Sequence, residues 1–217
     1  MGPPEPSASK VIAKPAGAYH HGALRQALVD AALEIIERRG PKALSMRAVA
    51  RRAGVSSAAP YRHFCSRDEL LAAVSEEGFS TLAEHIREAI AAHPDAPLAR
   101  FGETGVAYVR FAAAHPAHYA VMCTPGLFDK TADPSVQAAA SDALALLFEA
   151  IADCQSSGLV RSDPPADLAM VAWSAVHGLA SLISSGQLSA LGLASRDVDS
   201  LARTLALSLL SGMRTRG

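Results

Sequence analysis

The stretch Ser45 to Leu71, SMRAVARRAGVSSAAPYRHFCSRDELL, decides how this chain is read. Ser45 is suited to capping a helix start, and Met46, Val49, Ala50 and Ala53 follow it at helical spacing. Gly54 stands where the chain leaves that helix through a left-handed turn, which glycine enters without steric cost. Ser56 or Ser57 then caps a second helix, expected to carry Tyr61, Arg62 and His63 outward and Phe64 inward. With Ser57 as the cap, Pro60 falls in the first turn, where its missing N–H had no intrahelical partner anyway. Ser66-x-x-Glu69 reads as a capping box opening a long amphipathic helix. Any one of these signals occurs in ordinary helical hairpins. Together, with Arg47, Arg51 and Arg52 on the first helix and small Ala50 at the crossing, they imply a helix-turn-helix that touches DNA.

The charge distribution points the same way. Residues 1–65 hold ten Lys/Arg against four Asp/Glu, and residues 66–217 hold ten against seventeen. A basic head on an acidic body suits a protein that meets phosphates at one end. Half the residues are apolar but only 5% are aromatic, so the core must be built from Ala, Leu, Val and Ile. Cys65, Cys123 and Cys154 are odd in number and form no CxxC pair, which supports neither a disulfide framework nor a zinc cluster. Reduced thiols and a cytoplasmic setting are the expectation. Residues 1–18, rich in proline and small polar side chains, read as a tail with no apolar signal core, where Lys10 and Lys14 could brush DNA.

Residues from about His21 to Leu71 resemble the N-terminal domain of the TetR family of bacterial transcriptional repressors. The resemblance is carried by Ala31-Ala32-Leu33 and Gly40, by Ser45 to Ala50, and by Ala53-Gly54-Val55-Ser56. It continues through Tyr61-Arg62-His63-Phe64 and Arg67-Asp68-Glu69-Leu70-Leu71, and covers about a quarter of the chain. Two positions depart from the family pattern: Arg67 replaces a common lysine, and Pro60 a common leucine or isoleucine. By matching position, the resemblance implies that Ser45, Arg47, Ser57, Ala58, Tyr61, Arg62, His63 and Arg67 contact double-stranded DNA. Tyr61 and His63 would position the helix on the backbone, and Arg67 would meet a phosphate, while Ser57 and Ala58 would read base edges.

Outward from the head, apolar residues at helical spacing predict a first helix from Leu24, closed by Gly40-Pro41, and a long one from Ser66 to about Ala92. Further helices are expected over roughly 97–114, 116–123, 134–158, 165–186 and 196–213, broken at proline and glycine. No segment alternates like a strand. The fold class is therefore all-α, with a tail (1–18), a three-helix head (19–66) and a larger helical ligand-binding and dimerisation domain (67–217).

In that body, Leu168 to Ser185 carries no formal charge and is long enough to raise a membrane question. Four serines, His177 and the lack of flanking basic residues favour a helix buried all round, and no membrane is expected. Its Trp173…His177-Gly178 resembles a signature on the penultimate helix of one TetR subclass. Trp173 and His177, four apart, share a helical face. With Tyr108, Phe111, Tyr119, Met122, Leu127 and Phe128 they are candidate walls of a site for a small hydrophobic effector. His115, His118 and Cys123 invite a metal reading, but no fourth ligand lies nearby and none is assigned. No phosphate loop or paired carboxylates suggest an enzyme or cofactor.

A reader of palindromic operators needs two recognition elements ~34–36 Å apart, which implies a homodimer. The last two helices are expected to form it, through Leu168, Ala172, Ala175, Val176, Leu179 and Ile183 on one and Leu201, Leu205, Leu209 and Gly212 on the other. The sequence therefore reads as a ligand-released repressor, with a constitutive dimeric DNA-binding protein as the alternative and an all-α enzyme as a distant third.

Overall fold

A computed structural model describes residues 21–124, 133–193 and 195–215. The tail expected over residues 1–18 and the candidate wall residues Leu127 and Phe128 lie outside the described residues. Nine α-helices form among those described: α1 (His21–Arg39), α2 (Met46–Arg52), α3 (Arg67–Ala91), α4 (Pro97–Ala114), α5 (Pro116–Met122), α6 (Pro134–Ser156), α7 (Pro165–Ser184), α8 (Gln187–Ala190) and α9 (Val198–Met213). Their only extended pairing is one antiparallel bridge, Val160 to Arg214. The protein is all-α, as the periodicity predicts. Helices α4 to α7 each open on a proline, a position where no backbone N–H is needed, which is why their starts are legible. The short α8 has no counterpart in the sequence reading.

The head is held by its caps and a small core. Ser45 Oγ accepts from Ala48 N at 3.3 Å, opening α2. Gly54, at φ 70°, ends it. Val55 N reaches back to Ala50 O at 3.0 Å and Gly54 N to Arg51 O at 3.4 Å, the paired closure of a left-handed helix end. At α3, Ser66 Oγ accepts from Glu69 N at 3.1 Å. The Glu69 carboxylate closes the box one residue earlier than the pattern implies, accepting from Cys65 N at 2.5 Å. Beneath these caps Leu28, Val49, Phe64, Leu70 and Val74 are fully buried, and burial of a side chain such as Phe64 is worth about 1.5–3 kcal/mol.

The second helix of the motif differs from expectation. Neither Ser56 nor Ser57 opens an α-helix; residues 57–59 turn, and Pro60–Arg62 form a single 3-10 turn with no side-chain cap. Proline explains it: with no N–H at residue 60, the Ser56 carbonyl takes Ala59 N at 3.0 Å instead. Arg62 N to Ala59 O and His63 N to Pro60 O continue the tight pattern. Pro60 itself is buried, while Tyr61 and Arg62 are exposed as predicted.

In the body α4 is central, touching α3, α5, α6, α7 and α9. Helix α3 is about 37 Å long by its residue count and runs from the head core along α4, α5 and α6. Helix α5 has two audiences. Ala117, Ala120 and Val121 pack in the head core, whereas Met122 packs with Phe79 and Leu82 of α3. Close approach of α5 to α3 depends on Gly78, where a Cβ would stand 2.6 Å from Met122 Sδ and 3.2 Å from His118 Cβ.

Helices α6 and α7 are long and apolar enough to cross a membrane by length and composition alone. Both pack into the bundle, but α7 is not buried all round: Met170 and Val171 are 57% and 48% exposed. Nor does its expected interface face stand free, because Leu168, Ala172 and Val176 are buried in the chain's own core. Leu205 likewise packs, half-buried, beside Val106 and Val109. The open apolar residue of α9 is Leu207, 68% exposed. An amphipathic periodicity identifies two faces of such helices without saying which meets the chain's own core.

Candidate DNA interface and ligand cavity

The head presents Ser45, Arg47, Ser57, Ala58, Tyr61 and Arg62 to solvent, with His63 half-buried. Tyr61, at 57% exposed, is a large apolar ring held outward by the buried pair Pro60 and Phe64 on either side. Arg25 lies over the Phe64 ring at 5.2 Å and Arg52 pairs with Glu34, so some of the head's cations brace it internally. Arg67 does likewise. Its Nη2 donates to Pro41 O at 2.8 Å and its Nε to Leu44 O at 3.0 Å, tying α3 to the chain before α2. Arg67 thus braces the head as well as standing at the position where a phosphate contact is expected.

A cavity of about 450 Å³ lies in the body, between α3, α4, α6, α7 and α9. Of the sequence-predicted residues, Tyr108, Met122, Trp173 and His177 line it. Tyr119 stands behind them: its hydroxyl is 3.2 Å from His177 Nδ1, donates to His177 O and lies 3.1 Å from Ser181 Oγ. Phe111 is not in the wall. It is buried beside α5, its ring stacked 5.1 Å from His115. His177 Nδ1 lies 2.9 Å from the Tyr108 hydroxyl, which burial above all holds far above its ordinary pKa. Burial likewise pushes Tyr119 up to about 12 and raises the Cys123 thiol, which also lines the cavity. Trp173 and Leu144, both 44% exposed, mark the opening.

Several wall residues escape the sequence reading: Phe79, Leu82 and Ile86 of α3, Phe101 of α4, and Leu209 and Leu210 of α9. One signal exists for the space itself. Gly102 and Gly105, three apart on α4, both line the cavity, and a Cβ on Gly105 would sit 3.0 Å from Val176. His115, His118 and Cys123 do not converge. His118 Nε2 is 3.2 Å from Glu77 Oε1, Cys123 faces the cavity, and among the described residues no group of three or more His, Cys, Asp or Glu could hold a metal.

Residues 28–74 match the family described as bacterial regulatory proteins, tetR family, and residues 101–209 match the tetracyclin repressor-like C-terminal domain. The chain belongs to the TetR family. It is thus a transcriptional regulator that binds DNA through a helix-turn-helix. Among solved structures, a Rhodococcus sp. RHA1 protein of unknown function is 32% identical, with a TM-score of 0.76 over 91% of this chain and 98% of that one. A regulatory protein of the tetR family from Rhodococcus RHA1 shares the fold at 20% identity, with a TM-score of 0.71 over 89% and 98%. The TetR family regulator PfmR from Thermus thermophilus does so at 18%, with a TM-score of 0.68 over 85% and 97%. No curated protein sequence matches the chain.

Proposed function

We propose that this TetR-family regulator is a homodimeric repressor that leaves a palindromic operator when a small hydrophobic molecule fills the cavity in its body. One observation carries the reading: an apolar space of about 450 Å³ is lined at one end by Met122 of α5, the helix whose Ala117 and Val121 pack in the head core. That volume is within the range of small-molecule sites, and a few convergent polar groups at one end suit orientation of a ligand. A ligand shifts DNA affinity only by binding one arrangement of the heads better than the other, with couplings of ~1–3 kcal/mol. The Trp173…His177-Gly178 pattern supports placing the chain in the TetR subclass that carries it.

At the other end, Ser45, Arg47, Tyr61, Arg62 and His63 would hold the backbone while Ser57 and Ala58 read bases by hydroxyl and van der Waals contact. Residues 19–66 would act as the DNA-binding domain and 67–217 as the ligand-binding and dimerisation domain, with 1–18 as a tail. Met170 and Val171 of α7 and Leu207 of α9 are the exposed apolar residues that a two-fold four-helix contact would cover. Selecting operators from a random duplex pool, then adding hydrophobic compounds while following Trp173 fluorescence, tests the reading. Compounds should quench Trp173 and release DNA together. Quenching across a broad set without release would make the protein a constitutive DNA binder.

A further inference from the structure

Among the described residues, the cavity wall contains no Asp, Glu, Lys or Arg. This is not for want of charges on the helix that builds it. Helix α4 carries Arg100, Glu103 and Arg110, but each is spent elsewhere: Arg100 on Asp153 at 2.6 Å, Glu103 on Arg203 at 2.5 Å, Arg110 on Asp199 in a two-pronged contact. Residues 101, 102, 104, 105 and 108 of the same helix face the cavity, the Thr104 hydroxyl donating to the Phe101 carbonyl. The register of α4 thus sorts charge to the outer pairs and leaves the wall neutral. A charged ligand buried here would lose its hydration with no Asp, Glu, Lys or Arg to offset it. An anion could pair only with a His177 that first takes up a proton.

The polar end can be read for donors and acceptors. A tyrosine hydroxyl carries one hydrogen to give, and an imidazole nitrogen without a proton can accept it. The Tyr108 hydroxyl lies 2.9 Å from His177 Nδ1, and donating its hydrogen there satisfies it within the protein. A neutral imidazole that accepts at Nδ1 carries its proton on Nε2, which makes that atom a donor. The Tyr119 hydroxyl also lies 3.2 Å from Nδ1, but it has the His177 carbonyl to donate to instead.

We infer that the effector is an uncharged, largely hydrocarbon molecule bearing one hydrogen-bond-accepting oxygen, such as a ketone, ester or lactone, that receives His177 Nε2–H. The cavity holds roughly fifteen water volumes, which sets its size to about a ten-carbon chain or a small ring system. This rests on the ligand-controlled reading above and deepens it.

The test is a matched set of ten-carbon probes at neutral pH: decan-2-one, decan-1-ol, decanoate and decylammonium, titrated against the full-length protein by Trp173 fluorescence and calorimetry. The ketone and alcohol should bind at least about tenfold more tightly than either ion. His177→Leu should weaken the ketone roughly tenfold, the loss of one donor to a buried acceptor, while His177→Gln, which keeps a donor, should restore part of it. Thermal melts of both variants report folding. Decanoate or decylammonium binding as tightly as the ketone overturns the neutral-ligand inference, and unchanged ketone affinity in a folded His177→Leu overturns the donor assignment. If none of the four binds, the ligand-controlled reading itself falls, and this inference with it.

Discussion

The head and the body use polar side chains in opposite ways. In the head, hydroxyls and carboxylates are spent on backbone ends: Ser45 on Ala48 N, Ser66 on Glu69 N, Glu69 on Cys65 N. Arg67 reaches across to the carbonyls of Pro41 and Leu44. Local capping fixes short elements firmly enough that Tyr61, Arg62 and Ser57 can stand in solvent. In the body, α4 to α7 start on prolines, and carboxylate caps among the described residues are confined to Asp133 and Asp197. The helices are held by apolar packing with ion pairs at the rim, such as Arg110 to Asp199. Packing of this kind leaves a void, and two of the polar groups in its wall, Tyr108 and His177, bond to each other. A surface built from caps is suited to a fixed reading edge. A bundle built around a neutral void is suited to a guest.

The contrast breaks first at the open apolar faces. Leu207→Arg should give a folded chain that is monomeric by light scattering, and operator binding should fall by about a hundredfold or more as the two-headed advantage is lost. A Leu207→Arg protein that stays dimeric would place the contact elsewhere. Next, Tyr61→Ala should weaken specific and scrambled DNA alike, by about tenfold in gel shifts, with a shallower salt dependence. Ser57→Ala should change preference among sequences instead. Unchanged affinities in Tyr61→Ala would mean that the exposed ring does not face DNA.

Smaller effects sharpen the difference in how the two regions are held. Gly54→Ala should cost about 1 kcal/mol in urea unfolding, because the residue sits at φ 70° with no neighbour that a Cβ would meet. That cost is conformational, so filling space cannot recover it. Smallest is Asp199. Hydrogen bonding to Arg110 holds its carboxyl below the ordinary value, so it adds stability above the unfolded pKa of about 3.9 that fades as pH falls through the folded value. The melting difference between wild type and Asp199→Asn should therefore be present at neutral pH and vanish in acid.

Much of this is legible in the sequence because local rules decide it. Ser45, Gly54 and Ser66 announce helix ends through side-chain or backbone chemistry acting over a few residues, and the prolines at 97, 116, 134 and 165 announce helix starts. The recognition segment departs from its expected helix for a physical reason: Pro60 is tolerated in a first helical turn, but a missing N–H there also lets the Ser56 carbonyl settle for Ala59 and tightens the turn. In the body, Tyr108 and Trp173 stand out because aromatic residues are only 5% of this chain, and His177 because it is the lone ionisable group on a largely apolar helix stretch. Phe79, Leu82 and Leu209 do not, since a leucine lining a void and a leucine in a core look alike at helical spacing. The same ambiguity sends Leu168 and Val176 to the interface when they belong to the chain's own core.

One measurement bears most directly on whether the body controls the head. With an operator in hand, the affinity of decan-2-one should be measured by Trp173 fluorescence with and without saturating DNA, and the affinity of DNA with and without saturating ketone. Coupling through the protein must be reciprocal, so both ratios should be equal, at about five- to 150-fold, each ligand weakening the other. Ketone that binds the cavity with both ratios at one would contradict ligand control of DNA binding.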